Sequence, residues 1–290
     1  MSEKILITGA NGQLGRAVIA YLLPQVPQGT IAGLVRKGHT ASDLAALGVD
    51  IREGDYFDQA SLTKAMQGID KVLLISSSDF NDRFGQHRNV IDAAHGAGVK
   101  HLYYTGVTIK DIKHSALNPL LADHFQTEDY IKSKGFTYTF LRNGLYAEVI
   151  PMFLGEQVLQ TGVYFPAGSG SVAFVARQDL GEATANILAS AGHDNKTYSL
   201  TSSQVYSFQD VADILTTLSG QTVGYYSPAS EEYKAMLSQL GLPEPVVMMS
   251  VLFAEGMKNN DFNEADHTLE TLLGRKQIDL QTFLKGVYGL

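Results

Sequence analysis

Residues 5 to 37 restrict the possible folds of this chain more than any other stretch. A short apolar run, Ile5-Leu6-Ile7-Thr8, breaks into Gly9-Ala10-Asn11-Gly12-Gln13-Leu14-Gly15. An amphipathic stretch then continues to about Leu23, and a second apolar run, Ile31 to Val35, ends on Arg36-Lys37. Read as strand, glycine turn, helix and strand, this is the opening of a βαβ unit. Gly9 permits a tight turn, Gly12 lets backbone come close to an anion, and Gly15 allows the helix to pack closely. The helix N-terminus itself, with unpaired N–H groups and the positive end of its dipole, stabilises negative charge.

The rest of the first half repeats the rhythm. Apolar runs near Val49 to Arg52, Val72 to Ser76, Leu102 to Thr105 and Thr137 to Leu141 are each separated by helix-like segments or turns. Continuously apolar strands divided by helices are expected in a parallel sheet covered on both faces and reached by right-handed crossovers. The predicted fold class is therefore α/β, a Rossmann-type doubly wound parallel sheet. After about residue 150 the rhythm weakens, with Pro151, the turn-rich Phe165-Pro166-Ala167-Gly168-Ser169-Gly170 and helical patterns near 178 to 189, 208 to 218 and 231 to 240. The division expected is a nucleotide-binding domain over 1–150 and a smaller, mostly helical lobe over 151–290. The lobe mainly binds substrate, some of its segments return to the first domain, and ligand binds in the cleft between the two.

Composition removes several alternatives. Of the 290 residues 44% are hydrophobic and 18% charged, which suits a buried core and not a disordered chain. A formal net charge of −8, with no run of Lys or Arg, gives no footprint for phosphate backbones, so no nucleic-acid partner is expected. The absence of cysteine excludes disulfides, thiolate nucleophiles and Cys-containing zinc sites. No stretch approaches the roughly 18 apolar residues of a membrane span, and the first strand begins too early for a signal peptide, so the cytoplasm is the expected location and no membrane partner is expected.

The end of the second strand names the dinucleotide. An NAD-binding chain usually places Asp or Glu there for the ribose hydroxyls, whereas Arg36 suits a 2′-phosphate, which a carboxylate would repel. NADP(H) is therefore the expected cofactor, held through Gly9, Asn11, Gly12, Gln13, Leu14, Gly15 and Arg36. The alternative is that Arg36 and Lys37 only solvate the start of a loop. Gly54-Asp55-Tyr56 and Ser76-Ser77-Ser78 follow the third and fourth strands at the carboxyl edge, where such sheets bind ligands. Asp55 and Tyr56 are expected beside adenine, and the three serines beside the nicotinamide ribose.

Four segments together carry a family likeness: Ile7 to Gly15, Leu73-Leu74-Ile75-Ser76-Ser77-Ser78, Gln86-His87-Arg88-Asn89-Val90-Ile91 and Leu141-Arg142-Asn143-Gly144. Through them the whole chain resembles the NmrA-like group of atypical short-chain dehydrogenases. The resemblance implies a Rossmann domain, NADPH as hydride donor and a small quinone-like, flat electrophilic substrate. It leaves a homodimer open, and also a second function, because some NmrA-like proteins are non-catalytic dinucleotide-binding redox sensors. Thr105-Gly106 departs from the family's usual Thr-Ser after the fifth strand, so a hydroxyl near the nicotinamide is missing while Thr105 remains a cofactor contact.

Ordinary short-chain dehydrogenases protonate their product with a Tyr-x-x-x-Lys pair. Tyr130 and Lys134 have that spacing but lie too close to the sixth strand. Counted back from Leu141, the Lys position falls on His124 and the Tyr position on Leu120. Tyr130 is read as a surface or packing residue, and the acceptor as one that needs no enzymic proton in the hydride step. His124 and Glu128, at i and i+4, share a helix face and can bond each other or the cofactor, or simply line the helix surface. Asn143 and Gly144 follow the sixth strand at the nicotinamide, Asn143 suiting its carboxamide and Tyr146 an aromatic acceptor. Arg142 is either pocket wall or a buried ion-pair partner, and Tyr146 either a stacking face or a core aromatic. Phe174 and Arg177 are weaker site candidates. The run Pro245 to Phe253 is either a partner surface or packed core.

Overall fold

In the computed structural model, which describes residues 3–79 and 81–290, the chain forms two compact units. The first takes the described residues up to Val107 with Asp123–Asn143 and Arg177–Leu200. The second takes Thr108–Ala122, Gly144–Ala176 and Thr201–Leu290.

The elements run in chain order as β1 (Ile5–Ile7), α1 (Gln13–Leu22), β2 (Ile31–Val35), α2 (Ser42–Ala46), β3 (Asp50–Glu53), α3 (Gln59–Ala65), β4 (Lys71–Leu74) and α4 (Arg83–Gly96). Next come β5 (His101–Val107), α5 (Asn118–Ser133), β6 (Thr137–Asn143), α6 (Val149–Leu154), α7 (Val158–Thr161), β7 (Val163–Tyr164) and β8 (Ser171–Val172). The chain continues with α8 (Arg177–Ala189), β9 (Lys196–Leu200), β10 (Tyr206–Ser207), α9 (Phe208–Ser219) and β11 (Tyr225–Tyr226). It closes with α10 (Ser230–Gln239), α11 (Glu244–Lys258), α12 (Thr268–Leu273) and α13 (Leu280–Tyr288).

The first unit is built on a seven-stranded sheet of order β3-β2-β1-β4-β5-β6-β9. Every neighbouring pair is parallel, with Ile5 opposite both Ile31 and Lys71. This is the doubly wound arrangement expected from the sequence, its strand order reversing at β1 and β4. The interior strands β1 and β2 are buried at every residue, which is why they read as unbroken apolar runs. One face carries Leu6, Leu34, Val72, Leu102, Tyr104 and Phe140 packed with Leu62 of α3 and with Val90 and Ile91 of α4. Each large apolar side chain buried there contributes roughly 1.5–3 kcal/mol. Helices α1 and α8 approach each other closely, because a Cβ at Gly181 would lie only 2.5 Å from that of Ala17.

One strand differs from the sequence expectation. The edge strand β9, Lys-Thr-Tyr-Ser-Leu, is exposed at its first residues and buried only at Leu200, so it lacks the apolar run that marks the interior strands. β5 and β6 also extend beyond their predicted ends, to Val107 and Asn143.

The second unit is mostly helical. Its centre is Phe165, with the Phe208 ring 4.4 Å away, Phe153 at 4.9 Å and the edge of Tyr233 at 5.6 Å. Helix α9 begins at a capping box in which the Ser207 side chain accepts from the Asp210 N–H and the Asp210 carboxylate accepts from the Ser207 N–H. The run Pro245 to Phe253 lies in α11, where Val247 and Ser250 are buried while Val246 and Met248 are exposed. Among the described residues no helix is long and apolar enough to cross a membrane.

Candidate functional site

The glycine turn sits at the carboxyl end of β1. Gly9 has φ +59°, a left-handed conformation natural to glycine, and its carbonyl accepts from the Gly12 N–H at 2.9 Å. A Cβ at Gly15 would stand 2.3 Å from that same Gly9 carbonyl oxygen and 3.0 Å from the Ala10 Cα. The third glycine therefore lets α1 start hard against its own turn, whereas the close helix-to-helix contact falls to Ala17 and Gly181. Gly12 caps α1 with no side-chain hydrogen bond, and no acidic residue stands in the first turn, which contains Gln13, Leu14 and Gly15. The positive end of the helix is thus left for an anion.

Two arginines flank this turn in different states. Arg16 is committed: its guanidinium pairs with Asp43 and also donates to the Asn11 side-chain oxygen at 2.6 Å and to the Asn11 carbonyl at 3.2 Å. The Asn11 amide in turn donates to the Thr40 carbonyl at 2.9 Å, fastening the loop after β2 to the glycine turn. Arg36, at the head of that loop, is exposed, and no side-chain partner is seen for it among the described residues. Position at the end of β2 singled out Arg36 in the sequence, but nothing there showed that Arg16 is paired. Gln13 receives the Arg177 guanidinium at 2.9 Å, so Arg177 steadies the turn.

The strand-end loops are held by a dense polar network. Tyr56 turns its hydroxyl inward, donating to the Ile75 carbonyl at 2.9 Å and accepting from the Thr8 hydroxyl, and burial pushes its pKa upward. The phenol expected beside adenine thus ties β1 to β4 at the carboxyl edge. The Asp55 carboxylate accepts from the Phe57 N–H at 2.9 Å. Ser76 donates its N–H to Thr105 Oγ1 at 2.9 Å. Ser77 donates its N–H to Nε2 of His87 at 3.0 Å and accepts from Arg83 Nε at 2.9 Å, while Ser78 is exposed. A side chain at Gly106 would bring its Cβ to 3.4 Å from Glu128 Oε1, so the family's usual serine there would face a buried carboxylate.

Helix α5 carries His124, Glu128 and Tyr130, and each has a partner across the fold. His124, 7% exposed, has Nδ1 at 2.7 Å from the Tyr104 hydroxyl. Burial, with Arg83 and His87 nearby, holds its pKa well below the usual imidazole value. Glu128, 2% exposed, is gripped by Arg142 through Nε to Oε1 at 2.8 Å and Nη2 to Oε2 at 2.6 Å, with the guanidinium 5.1 Å over the Phe125 ring. His124 and Glu128 therefore share a helix face without bonding each other, because β5 and β6 supply better-placed partners for both, and the ion-pair alternative for Arg142 is the one observed. Tyr130 donates to Asp92 of α4 at 2.8 Å, and Lys134 reaches the same carboxylate at 2.7 Å.

Asn143 ends β6 and is 2% exposed. In the second unit, a Cβ at Gly144 would lie 3.2 Å from the Ala173 carbonyl, and the half-buried Tyr146 pairs its backbone with Val175. Phe174 is a core residue of that unit, edge-on to Phe208 at 6.2 Å. The polar residues that the sequence reading did not single out for the site are Arg16, Arg83, His87, Asn89 and Asp123. Only the Gln86-His87-Arg88-Asn89 segment of the family likeness pointed toward any of them.

Comparison with known proteins identifies the family. The NmrA-like family model matches residues 1–284. Quinone oxidoreductase 2 of Escherichia coli strain K12 is 39% identical over 273 residues, covering 93% of each chain. A crystal structure of an NADPH-dependent quinone oxidoreductase from Escherichia coli, complexed with NADPH, superposes with a TM-score of 0.92 at 36% identity, covering 98% of this chain and 99% of that one. The Citrobacter triphenylmethane reductase complexed with NADP(H) gives 0.90 at 37% identity, again over 98% and 99% of the two chains.

Proposed function

This chain belongs to the NmrA-like family, and on that footing we propose that it is an oxidoreductase passing hydride from NADPH to a quinone or similar flat electrophile. The relatives above are named for quinone reduction with NADPH and for triphenylmethane reduction, and two of them are crystallised with NADP(H) or NADPH.

The residues present fit the cofactor. The uncapped N-terminus of α1 and a turn that a Cβ at Gly15 would fill form a cradle for the pyrophosphate. Arg36 is assigned the 2′-phosphate, Asp55 and Tyr56 the adenine side, Ser76, Ser77, Ser78 and Thr105 the nicotinamide ribose, and Asn143 with Gly144 the carboxamide. When bound, NADPH supplies the hydride. The chain after Asn143 is assigned to the acceptor, with Tyr146 as its stacking face.

The observation that carries the acceptor class is that the proton-donor position of ordinary short-chain dehydrogenases holds no phenol, while three tyrosines of the first unit are bonded elsewhere. Tyr56 is bonded to Thr8 and Ile75, Tyr104 to His124 and Tyr130 to Asp92, while the position four residues before His124 is Leu120. A ketone would need a proton donor at the developing alkoxide, whereas a quinone or cationic dye carbon accepts hydride and takes any proton from water afterwards. Holding donor and acceptor face to face then supplies most of the rate, an effect worth about 7 kcal/mol or more when ideal. The test is NADPH oxidation with a panel of benzoquinones, naphthoquinones and a triphenylmethane dye. Turnover with a quinone is expected, and tight NADPH binding with no turnover on any acceptor would overturn the enzyme reading.

A further inference from the structure

None of the roles assigned above uses Gln86-His87-Arg88-Asn89, yet three of these four side chains bond the backbone of loops at the carboxyl edge of the sheet. Gln86 Nε2 donates to the Asn81 carbonyl at 2.9 Å, His87 Nε2 accepts from the Ser77 N–H at 3.0 Å, and Asn89 Nδ2 donates to the Tyr56 carbonyl at 2.9 Å. One turn earlier, Arg83 donates from Nε to the Ser77 carbonyl at 2.9 Å and from Nη1 to Asp123 at 2.7 Å. Ser77 is therefore gripped on both its N–H and its C=O by side chains of one helix. We infer that α4 is a clamp that sets the Ser76–Ser78 and Asp55–Tyr56 loops for the dinucleotide, with Arg83, His87 and Asn89 as positioning residues. The inference rests on the NADP(H) reading of the site.

The direction of the bonds supports a built device. A backbone N–H can only donate, so Nε2 of His87 must be an unprotonated acceptor and the ring proton must sit on Nδ1. There it faces Thr127 Oγ1 at 3.0 Å, and the Thr127 hydroxyl passes its own proton to the Asp123 carbonyl at 2.8 Å. Thr127 thus fixes the tautomer that lets His87 hold Ser77. All three polar side chains of this core, Arg83, His87 and Thr127, are buried, 3%, 0% and 0% exposed. Among the described residues between β4 and α4, the loop they hold has no regular structure of its own. Without the clamp its backbone would have to be ordered by the cofactor at the moment of binding, which weakens affinity.

The test uses the full chain and three variants. His87→Leu keeps approximate bulk but cannot accept a hydrogen bond, His87→Gln offers an amide oxygen as acceptor for the Ser77 N–H, and Val90→Ala, in the buried core face of α4, destabilises the helix while leaving the side chains of Arg83, His87 and Asn89 in place. Amide exchange followed by NMR should show Ser77 protected in the parent and exchanging at least about tenfold faster in His87→Leu. NADPH dissociation constants should rise about tenfold in His87→Leu, return to within about threefold in His87→Gln, and stay at the parent value in Val90→Ala despite its lower thermal midpoint. Unchanged NADPH affinity in His87→Leu with Ser77 exposed would overturn the clamp alone. So would an equal loss in Val90→Ala, which would mark a general stability effect. A parent protein that binds no NADPH would overturn the cofactor reading, and the clamp with it.

Discussion

Replacing Arg36 with alanine isolates the choice of dinucleotide with little disturbance to the fold. The side chain is exposed and no partner is seen for it among the described residues, so the thermal midpoint should stay unchanged. Arg16 differs, because it holds Asp43 and Asn11, and Asn11 holds the loop after β2. Losing a charged hydrogen bond to a phosphate costs about 1.5–3 kcal/mol, and solvent exposure puts the expected value near the lower end, roughly a tenfold weaker NADPH complex. NADH, lacking the phosphate, should bind Arg36→Ala as it binds the parent. Screening supplies a second arm: the Debye length falls from about 10 Å at 0.1 M salt to about 3 Å at 1 M, so the parent's preference for NADPH should shrink with salt and the variant's should not. Fluorescence titration of both nucleotides on both proteins at the two salt levels reads these affinities. Equal losses for NADPH and NADH would refute the phosphate role. Survival of the preference in Arg36→Ala with its loss in Arg16→Ala would hand that role to Arg16.

Three further outcomes are expected. Gly15→Ala should lower both the thermal midpoint and NADPH affinity, the latter about tenfold or more, because its Cβ would meet backbone at 2.3 and 3.0 Å and overpacking of this kind costs about 1–3 kcal/mol; parent-like titration and melting curves would show that the turn has slack. Tyr130→Phe should cost about 1 kcal/mol in stability for its bond to Asp92 and leave quinone turnover intact, whereas Asn143→Ala and Tyr146→Ala should slow turnover; a large Tyr130 effect in steady-state assays would place that phenol in the reaction. Burial beside Arg83 pushes His87 down to about 3, below the ordinary 6.5, so the unfolded chain binds the extra proton between those values and stability falls as pH drops from 6.5 toward 3, by up to about 1.4 kcal/mol per pH unit from this residue. Denaturant melts at pH 7 and 5 should show that slope, and His87→Gln should reduce it.

The sequence made some parts of this protein legible and hid others for definite physical reasons. β2 was read to its exact ends because a strand buried on both faces must be apolar throughout and its carboxyl end is marked by Arg36. β9 escaped because an edge strand with exposed first residues needs no such run, and Lys196-Thr197-Tyr198 resembles a loop. The glycine turn was legible because its chemistry is local: three glycines within seven residues, followed by a helix, are enough to specify it. The His87 clamp was not, because its partners Ser77, Thr127 and Asp123 are brought together only by the sheet, and no local spacing encodes them. Arg16 and Arg36 show the same limit within one βαβ unit, since only the fold shows that Asp43 occupies the first and leaves the second exposed.

The α5 helix shows what that difference means for chemistry. Spacing alone put His124 and Glu128 on one face, where they could bond each other or the cofactor, or simply line the helix surface. The strands opposite divide them: β5 offers the Tyr104 hydroxyl to His124, and β6 offers the Arg142 guanidinium to Glu128. With its pKa held well below the usual value, His124 is a neutral imidazole at physiological pH and has no ionisable proton to give. Glu128, locked in a two-point ion pair, is a carboxylate whose charge is already balanced. His124, at the lysine position of a short-chain dehydrogenase, and Glu128 one turn on are thus committed to holding the helix against the sheet, while the position of the acid itself is Leu120. Under the proposed function the acceptor draws its proton from water, and selectivity is expected from shape and stacking at the end of β6 and just beyond it, at Asn143 and Tyr146.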